Sequence, residues 1–371
     1  MRIEIFLMLL LTQQIIEGHE KILEVNLEDI LIKEINEQPE IIQNIIDLEL
    51  NNIISIAKKL SGKFKYVLIA ARGSSDNAAR NAQYVLGTYN HFQIALATPS
   101  IFTIYEEPPD LSESLVIGIS QSGQSPDIVS VLKSAKQQNR PTLCITNDPK
   151  SPLAKTSDHI IPLHVGKEKA VAATKTYTSS LTALAMLSVG FNPDRKRQNS
   201  IQALPELLGE SLPVFSRTAE NAVRYRYMEH CVVIGRGYNY CTAFEIALKV
   251  KELTRVVAVP YSSADFAHGP IATVQTGFPI FVIAPTGPMY DHIEQFTNKL
   301  LGIGAEIISI SDNKKMHSIS KIGFPVPSEI PEWLSPIIYV IPGQLFARKL
   351  ALEKGLDIDK PEGLSKVTET F

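Results

Sequence analysis

Hydrophobic positions along this chain change period as it runs. Over 30–60, in ILIKEI and IIQNIIDLEL, apolar residues recur at helical spacing, which predicts amphipathic helices that pack on a sheet or on a partner subunit. Short continuous apolar runs then alternate with helical ones. The runs YVLIAA, FQIALA, LVIGIS, PTLCIT and HIIPLHV read as strands, with helices over DNAARNAQYVL and PDIVSVLKSAKQQ between them. A helix rich in Ala, Thr and Ser follows over 174–187, and the polar stretch 192–200 marks a boundary. The same order then returns: CVVIGR, the helix TAFEIALKVKEL, VVAVPY, FPIFVIA, the helix DHIEQFTNKLLG and AEIISIS, with a last helix over 343–355 and a polar tail. Alternation of this kind specifies parallel sheets covered by helices on both faces.

The return is a repeat in register. Gly73 in VLIAARGSSD answers Gly237 in VVIGRGYN, and Gly123 in ISQSGQSPD answers Gly287 in IAPTGPMYD, both 164 residues on. A third anchor, TLCITND, falls at the same offset on EIISISD. The chain is therefore expected to be α/β, with two tandem duplicated, doubly wound, flavodoxin-like parallel-sheet domains. The expected division is a helical arm at 1–45, domains at 46–195 and 196–350, and a polar tail at 351–371. The copies differ in chemistry. The first has hydroxyl-rich loops after its strands; the second has prolines, tyrosines and apolar residues there but gains a helix face of Glu245, Lys249 and Glu252.

Composition narrows the partners. A net charge of -3 comes with no long basic run, and the densest cluster, Arg195-Lys196-Arg197, reads as a solvated linker beside Asn192-Pro193-Asp194, so nucleic acid is not expected. Cys144, Cys231 and Cys241 form no C-x-x-C pair and read as small core residues, a usage that fits a reducing cytoplasm. The run IFLMLLL after Arg2 is short, follows Glu4 and precedes no small-residue cleavage site, so a packed helical arm is expected rather than export. No stretch approaches the roughly 20 apolar residues of a membrane span.

In Ser120-Gln121-Ser122-Gly123-Gln124-Ser125-Pro126-Asp127 an apolar strand ends on a hydroxyl, a glycine permits a tight turn, and Pro126 opens a helix with Ser125 as its cap. Such a loop offers hydroxyls, free amides and a helix dipole to a dianionic phosphate. Ser74 and Ser75 stand in the equivalent turn after the first strand, where ligands of open α/β sheets bind. Gly235-Arg236-Gly237 invites comparison with a dinucleotide fingerprint, but its third glycine falls at Tyr240 and no Walker-type G-K-[ST] occurs. Glu245, Lys249 and Glu252, at i, i+4 and i+7, share a helix face. Spacing alone reads them as an exposed, salt-bridged stripe. His268, in the turn ADFAHGP, has little packing purpose there, and a carboxylate with an imidazole near a phosphate pocket suits proton transfer on a sugar phosphate. The histidines show no metal-ligand spacing, so no metal is expected.

Taken together, ISQSGQSPD, GKEKAVAATKTYT, AFEIALKVKEL, ADFAHGP and DKPEGLSKVTETF resemble the sugar isomerase (SIS) domain family. They look like the isomerase half of the glucosamine-6-phosphate synthases, and closer still to stand-alone glucosamine-6-phosphate deaminases. The resemblance implies that Ser74, Ser75, Ser120, Gln121, Ser122 and Ser125 hold a phosphate, with Val171, Ala173 and Ser365 at the sugar. It implies that Glu252 shuttles a proton between C1 and C2, that His268 assists ring opening, and that Lys249 and Glu245 surround them. Lys366 corresponds to a tail lysine that reaches the open-chain carbonyl. Ala173 stands where the synthases have serine, which removes one hydroxyl from the sugar site. The synthases begin with a glutaminase domain whose N-terminal cysteine releases ammonia; here no cysteine precedes Cys144, so glutamine-dependent synthesis is not expected of this chain on its own. The expectation is a cytoplasmic, cofactor-free enzyme acting on a phosphorylated aminosugar, with a homodimer sharing its active sites through the histidine turn. An aldose-ketose isomerase, a deaminase for another aminosugar phosphate and a non-catalytic phosphosugar sensor are the alternatives.

Overall fold

The computed structural model describes residues 29–364 and 366. The apolar run at 5–11 and Ser365 therefore lie outside the described residues. The chain enters through α1 (Ile30–Asn36) and α2 (Gln38–Leu60). Asp29 caps α1 by accepting from the Ile32 amide, and α2 buries Ile42, Ile45, Ile46 and Ile53, whose spacing is that of one helix face. Because α2 runs unbroken from 38 to 60, no boundary falls at 45.

The first sheet is built from β1 (Tyr66–Ala70), β2 (Gln93–Leu96), β3 (Ser114–Ile119), β4 (Thr142–Thr146) and β5 (His159–Pro162). It is five-stranded, all parallel, in the order β2-β1-β3-β4-β5. Its crossovers are α3 (Gly73–Asn90), the short α4 (Pro99–Thr103), α5 (Pro126–Gln137) and α6 (Pro152–Thr156), and α7 (Lys175–Phe191) follows. β3 and β4 are buried along their whole length, as strands covered on both faces must be.

The polar stretch at 192–200 is exposed from Asn192 to Lys196, but it forms a helix and not a linker, and it buries Arg197. Asp194 caps a helix, α8 (Arg195–Gln202), and Arg197 is 7% exposed, donates to Ser188 Oγ at 3.2 Å and lies 4.4 Å over the Tyr89 ring. A guanidinium buries readily when its fork is hydrogen-bonded and its face stacks on an aromatic ring, which a reading of charge density alone does not capture. Helix α9 (Leu204–Ala219) then leads to the second copy.

That copy repeats the first. β6 (His230–Ile234), β7 (Val257–Tyr261), β8 (Pro279–Ala284), β9 (Glu306–Ser311) and β10 (Ile322–Pro325) form a parallel sheet ordered β7-β6-β8-β9-β10. The 164-residue offset carries β1 onto β6 residue for residue, and α3 onto the turn at Gly237 together with α10 (Tyr240–Thr254). Gly73 and Gly237 have φ of 55° and 61°, a left-handed turn that favours glycine and that both copies need to pass from strand to helix. The remaining helices are α11 (Ser263–Ala267), α12 (Tyr290–Gly302), α13 (Lys314–Ser318) and the largely buried α14 (Ser335–Glu353). α14 starts eight residues before the sequence-based estimate. Its first turns, SPIIYVIP, carry two prolines and a strand-like apolar run, but Pro336 sits at the start of the helix, where its missing donor costs nothing.

The equivalent helices α3 and α10 pack on one another between the two sheets. Tyr84 meets Tyr238 at 6.0 Å, and the Arg80 guanidinium lies 4.3 Å over Phe244. One hydrophobic core continues from α2 and α7 through this seam to α14. Burial pushes the Cys144 and Cys241 thiols up to about 11 and that of Cys231 to about 12, so all three are core residues with inert thiols. No described helix is long and apolar enough to cross a membrane.

Candidate active site

A cavity of about 340 Å³ opens at the carboxyl ends of β1 and β3, where the order of the first sheet reverses. Its floor is polar for a local reason. The loop after β3 folds back on itself: Ser120 Oγ accepts from the Gly123 amide at 3.1 Å and Ser122 Oγ from the Gln124 amide at 3.3 Å. Both hydroxyls keep their protons for a ligand. Ser125 holds the cap position of α5 but makes no side-chain cap bond, so its hydroxyl faces the cavity instead of serving the helix as its sequence suggests. Ser74 and Ser75 begin α3 on the other side. Arg72 Nε donates to Asp127 Oδ2 at 2.8 Å; Asp127 is buried at the start of α5, so one ion pair ties the two loops together. Helix N-termini and hydroxyls converging on one volume are groups that can hold an anion.

Gly123 has φ of 60°, and a Cβ there would stand 2.1 Å from Ser151 Oγ, which itself caps α6. Gly123→Ala is therefore expected to cost about 1–3 kcal/mol of stability, which denaturant unfolding checks.

The second copy supplies the opposite wall. Glu245, Lys249 and Glu252 are not an exposed stripe: the Glu245 and Lys249 side chains are 0% and 1% exposed. Packing of α10 on α3 turns that face inward, which helical spacing cannot reveal. Glu245 accepts from Ser74 Oγ at 2.8 Å and from Asn77 Nδ2 at 2.7 Å, and lies 3.4 Å from Lys249 Nζ. Lys249 also donates to Glu252 Oε2 at 2.5 Å and to Ser74 Oγ at 3.3 Å. Burial pushes the Glu245 carboxyl up against the pull of Lys249 and the two donors. Burial alone would lower the Lys249 ammonium, but the charges of Glu252 and Glu245 outweigh it and hold it above the usual lysine range. Of these residues only Glu252 lines the cavity; Glu245 and Lys249 stand behind it.

Val171 and Ala173 line the third side, on the segment that leads into α7. That segment is fixed by Glu168, a residue whose role the sequence does not single out although it stands inside GKEKAVAATKTYT. Its carboxylate accepts from the amides of Thr174 and Thr176, both at 3.1 Å, from Thr176 Oγ1 at 2.9 Å and from Lys366 Nζ at 2.6 Å. Buried Tyr177 and Ser180 complete that wall, and Leu364 and Lys366 close the cavity from the tail.

The cavity thus brings together Ser74, Ser75, Ser120, Gln121, Ser122, Ser125, Val171, Ala173, Glu252 and Lys366. His268 is not among its walls. It ends α11 on an exposed turn, its amide donating to the Asp265 carbonyl at 3.1 Å.

The corresponding place in the second copy is filled. Glu332, 164 residues beyond Glu168, projects between the two glycine turns: a Cβ on Gly287 would meet Glu332 Oε2 at 2.6 Å, and one on Gly237 would lie 3.6 Å from Oε1. Burial pushes the Glu332 carboxyl up. Between the ordinary carboxyl range and that raised value the folded state binds more protons than the unfolded one, so this group's contribution to stability is lost as pH rises. Glu332→Gln is expected to flatten that fall in denaturant unfolding measured from acid to neutral pH.

Comparison with known proteins adds the following. The SIS domain family model matches residues 63–190 and 226–354. The isomerizing glutamine--fructose-6-phosphate aminotransferase of Pyrococcus horikoshii is 34% identical over 346 residues, covering 91% of this chain and 57% of that protein. The corresponding protein of Aquifex aeolicus is 34% identical over 341 residues with the same coverage. The chain thus spans 57% of the length of these relatives. Among solved structures, the C-terminal domain of glucosamine-fructose-6-phosphate aminotransferase from Francisella tularensis superimposes with a TM-score of 0.84 at 28% identity, covering 91% of this chain and 99% of that one. Glucosamine-6-phosphate deaminase from Thermotoga maritima shares the fold, with a TM-score of 0.74 at 22% identity over 92% of this chain and all of that one.

Proposed function

This chain belongs to the SIS domain family, and from that premise we propose that it converts glucosamine 6-phosphate and water into fructose 6-phosphate and ammonia. One observation carries the reading: a single cavity holds the hydroxyl loops of the first copy, the Glu252 carboxylate of the second and the Lys366 amine of the tail. The phosphate sits in the loop at 120–125 and against Ser74 and Ser75, so that binding energy gained far from the reacting carbons positions C1 and C2. Glu252 removes the C2 proton of the open-chain aldehyde and returns it to C1, converting the 2-amine into a 2-imine. Water adds to that imine and ammonia leaves. His268, exposed on its own chain, reaches the sugar of a second copy in a homodimer and passes the proton that opens the ring.

The similarity to isomerizing aminotransferases favours a second reading, in which the same groups run the reaction toward amination of fructose 6-phosphate with ammonia supplied from elsewhere. Purified protein given glucosamine 6-phosphate without glutamine, with ammonia and fructose 6-phosphate both quantified, tests the proposal. Equal yields are expected. No ammonia, despite calorimetric binding of the sugar phosphate, would overturn it in favour of an aldose-ketose isomerase or a phosphosugar sensor.

A further inference from the structure

We propose that Glu168 is the positioning residue that sets the Lys366 amine at the reacting carbonyl. The proposal rests on the reading of Lys366 as the tail amine that meets an open-chain sugar phosphate. Glu168 lines the cavity yet has a side chain of 0% exposure, and its two oxygens have separate tasks. Oε1 takes the amides of Thr174 and Thr176, at the head of α7. Oε2 takes Thr176 Oγ1 at 2.9 Å and Lys366 Nζ at 2.6 Å. A carboxylate held by three donors on one rigid helix cannot swing, and its remaining acceptor direction is fixed in the cavity.

The backbone beside it is fixed from the other side as well. Glu34 of α1 accepts from the Lys169 amide at 2.5 Å and the Ala170 amide at 3.2 Å. The segment that carries Glu168 is therefore braced by two helices independently of its bond to the tail. A residue that only capped α7 would need the first three bonds and no contact with the tail; the fourth bond spans 198 residues of sequence and ends on the one lysine amine that the described residues bring to the cavity wall. The repeat offers a contrast, since Glu332 takes the equivalent place in the second copy, where no cavity holds a tail amine among the described residues.

The test reads the amine directly. Full-length protein is incubated with fructose 6-phosphate and sodium borohydride and digested for mass spectrometry. The Lys366 amine, having given its extra proton to solvent, adds to C2; the carbonyl oxygen leaves as water; and borohydride delivers hydride to the imine carbon. Wild type is expected to carry the reduced sugar phosphate on Lys366. Glu168→Gln is expected to trap about a hundredfold more slowly while binding fructose 6-phosphate within about twofold of wild type. Thr176→Val, which removes the neighbouring bond on the same carboxylate oxygen, should fall between them, and it carries the test if Glu168→Gln does not fold. Wild-type trapping rates in the folded variants, or no wild-type adduct at Lys366, would overturn the proposal. Ammonia is not measured, so the absence of deaminase activity would leave this result standing.

Discussion

Exchanging Glu252 for Gln is expected to lower kcat by about a hundredfold to ten-thousandfold, the range in which a positioned general base contributes, with KM for the sugar phosphate changed by no more than about threefold. The asymmetry follows from where the residue stands. Glu252 takes no part in the hydroxyl loops at 74–75 and 120–125, so phosphate anchoring survives. Its carboxylate rims the cavity with a side chain 23% exposed, and Lys249 holds it at 2.5 Å. Gln keeps the shape and can still accept from Lys249, but it cannot carry a proton between adjacent carbons. Lys249 would retain Glu245 at 3.4 Å and Ser74 at 3.3 Å, so the seam between the copies should stay folded. Steady-state kinetics with calorimetry on the same preparation decide the matter. A variant that turns over at the wild-type rate would remove Glu252 from the chemistry, and one that no longer binds would show that its role is to hold the sugar.

Most of the architecture was legible because it depends on local patterns. Runs such as LVIGIS and PTLCIT, short, rich in β-branched residues and bounded by turn residues, read as strands buried on both faces, and the glycine register marked the duplication, with Gly73 and Gly237 sharing a left-handed turn. That hydroxyl-rich loops would meet at the strand ends was legible for the same reason, since hydroxyls after a strand and before a helix stand out over eight residues. What failed was anything set by contacts between distant segments. The face of Glu245 and Lys249 looks solvated until α10 meets α3. Arg197 looks like part of a linker until Tyr89 and Ser188 cover it. Glu168 carries no local signature, because its meaning lies in Thr174, Thr176 and a lysine 198 residues away. His268 is the converse: its turn stands out in the sequence, but the fold of one chain leaves it exposed and outside the cavity walls.

The buried charges at the seam give the second large effect. Lys249→Met keeps the bulk of the side chain but leaves Glu245, fully buried, facing only Asn77 and Ser74 as donors. Removing one partner of a buried ion pair typically costs about 3–5 kcal/mol, and that loss is expected at neutral pH. It should shrink in acid. Burial already pushes the Glu245 carboxyl up, and Lys249 is the strongest opposing influence. Without it the folded carboxyl rises further above its unfolded value, so over that window the native state holds a proton that the unfolded chain releases. Stability therefore falls as pH rises from the ordinary carboxyl range through the raised value, and recovers on acidification. In wild type the slope from the lysine lies elsewhere: its ammonium is raised, so its contribution is intact below the ordinary lysine range and is lost only in strong alkali. Urea unfolding of Lys249→Met at pH 5 and at neutral pH measures the difference, and the double variant Glu245→Gln with Lys249→Met isolates its cause. With no buried charge left to strand, the double variant should regain more than half of the lost stability while remaining inactive, because Glu252 has lost the ammonium that orients it. Equal losses at both pH values, with no recovery in the double variant, would mean that Lys249 stabilises the seam through its packing and not through its charge.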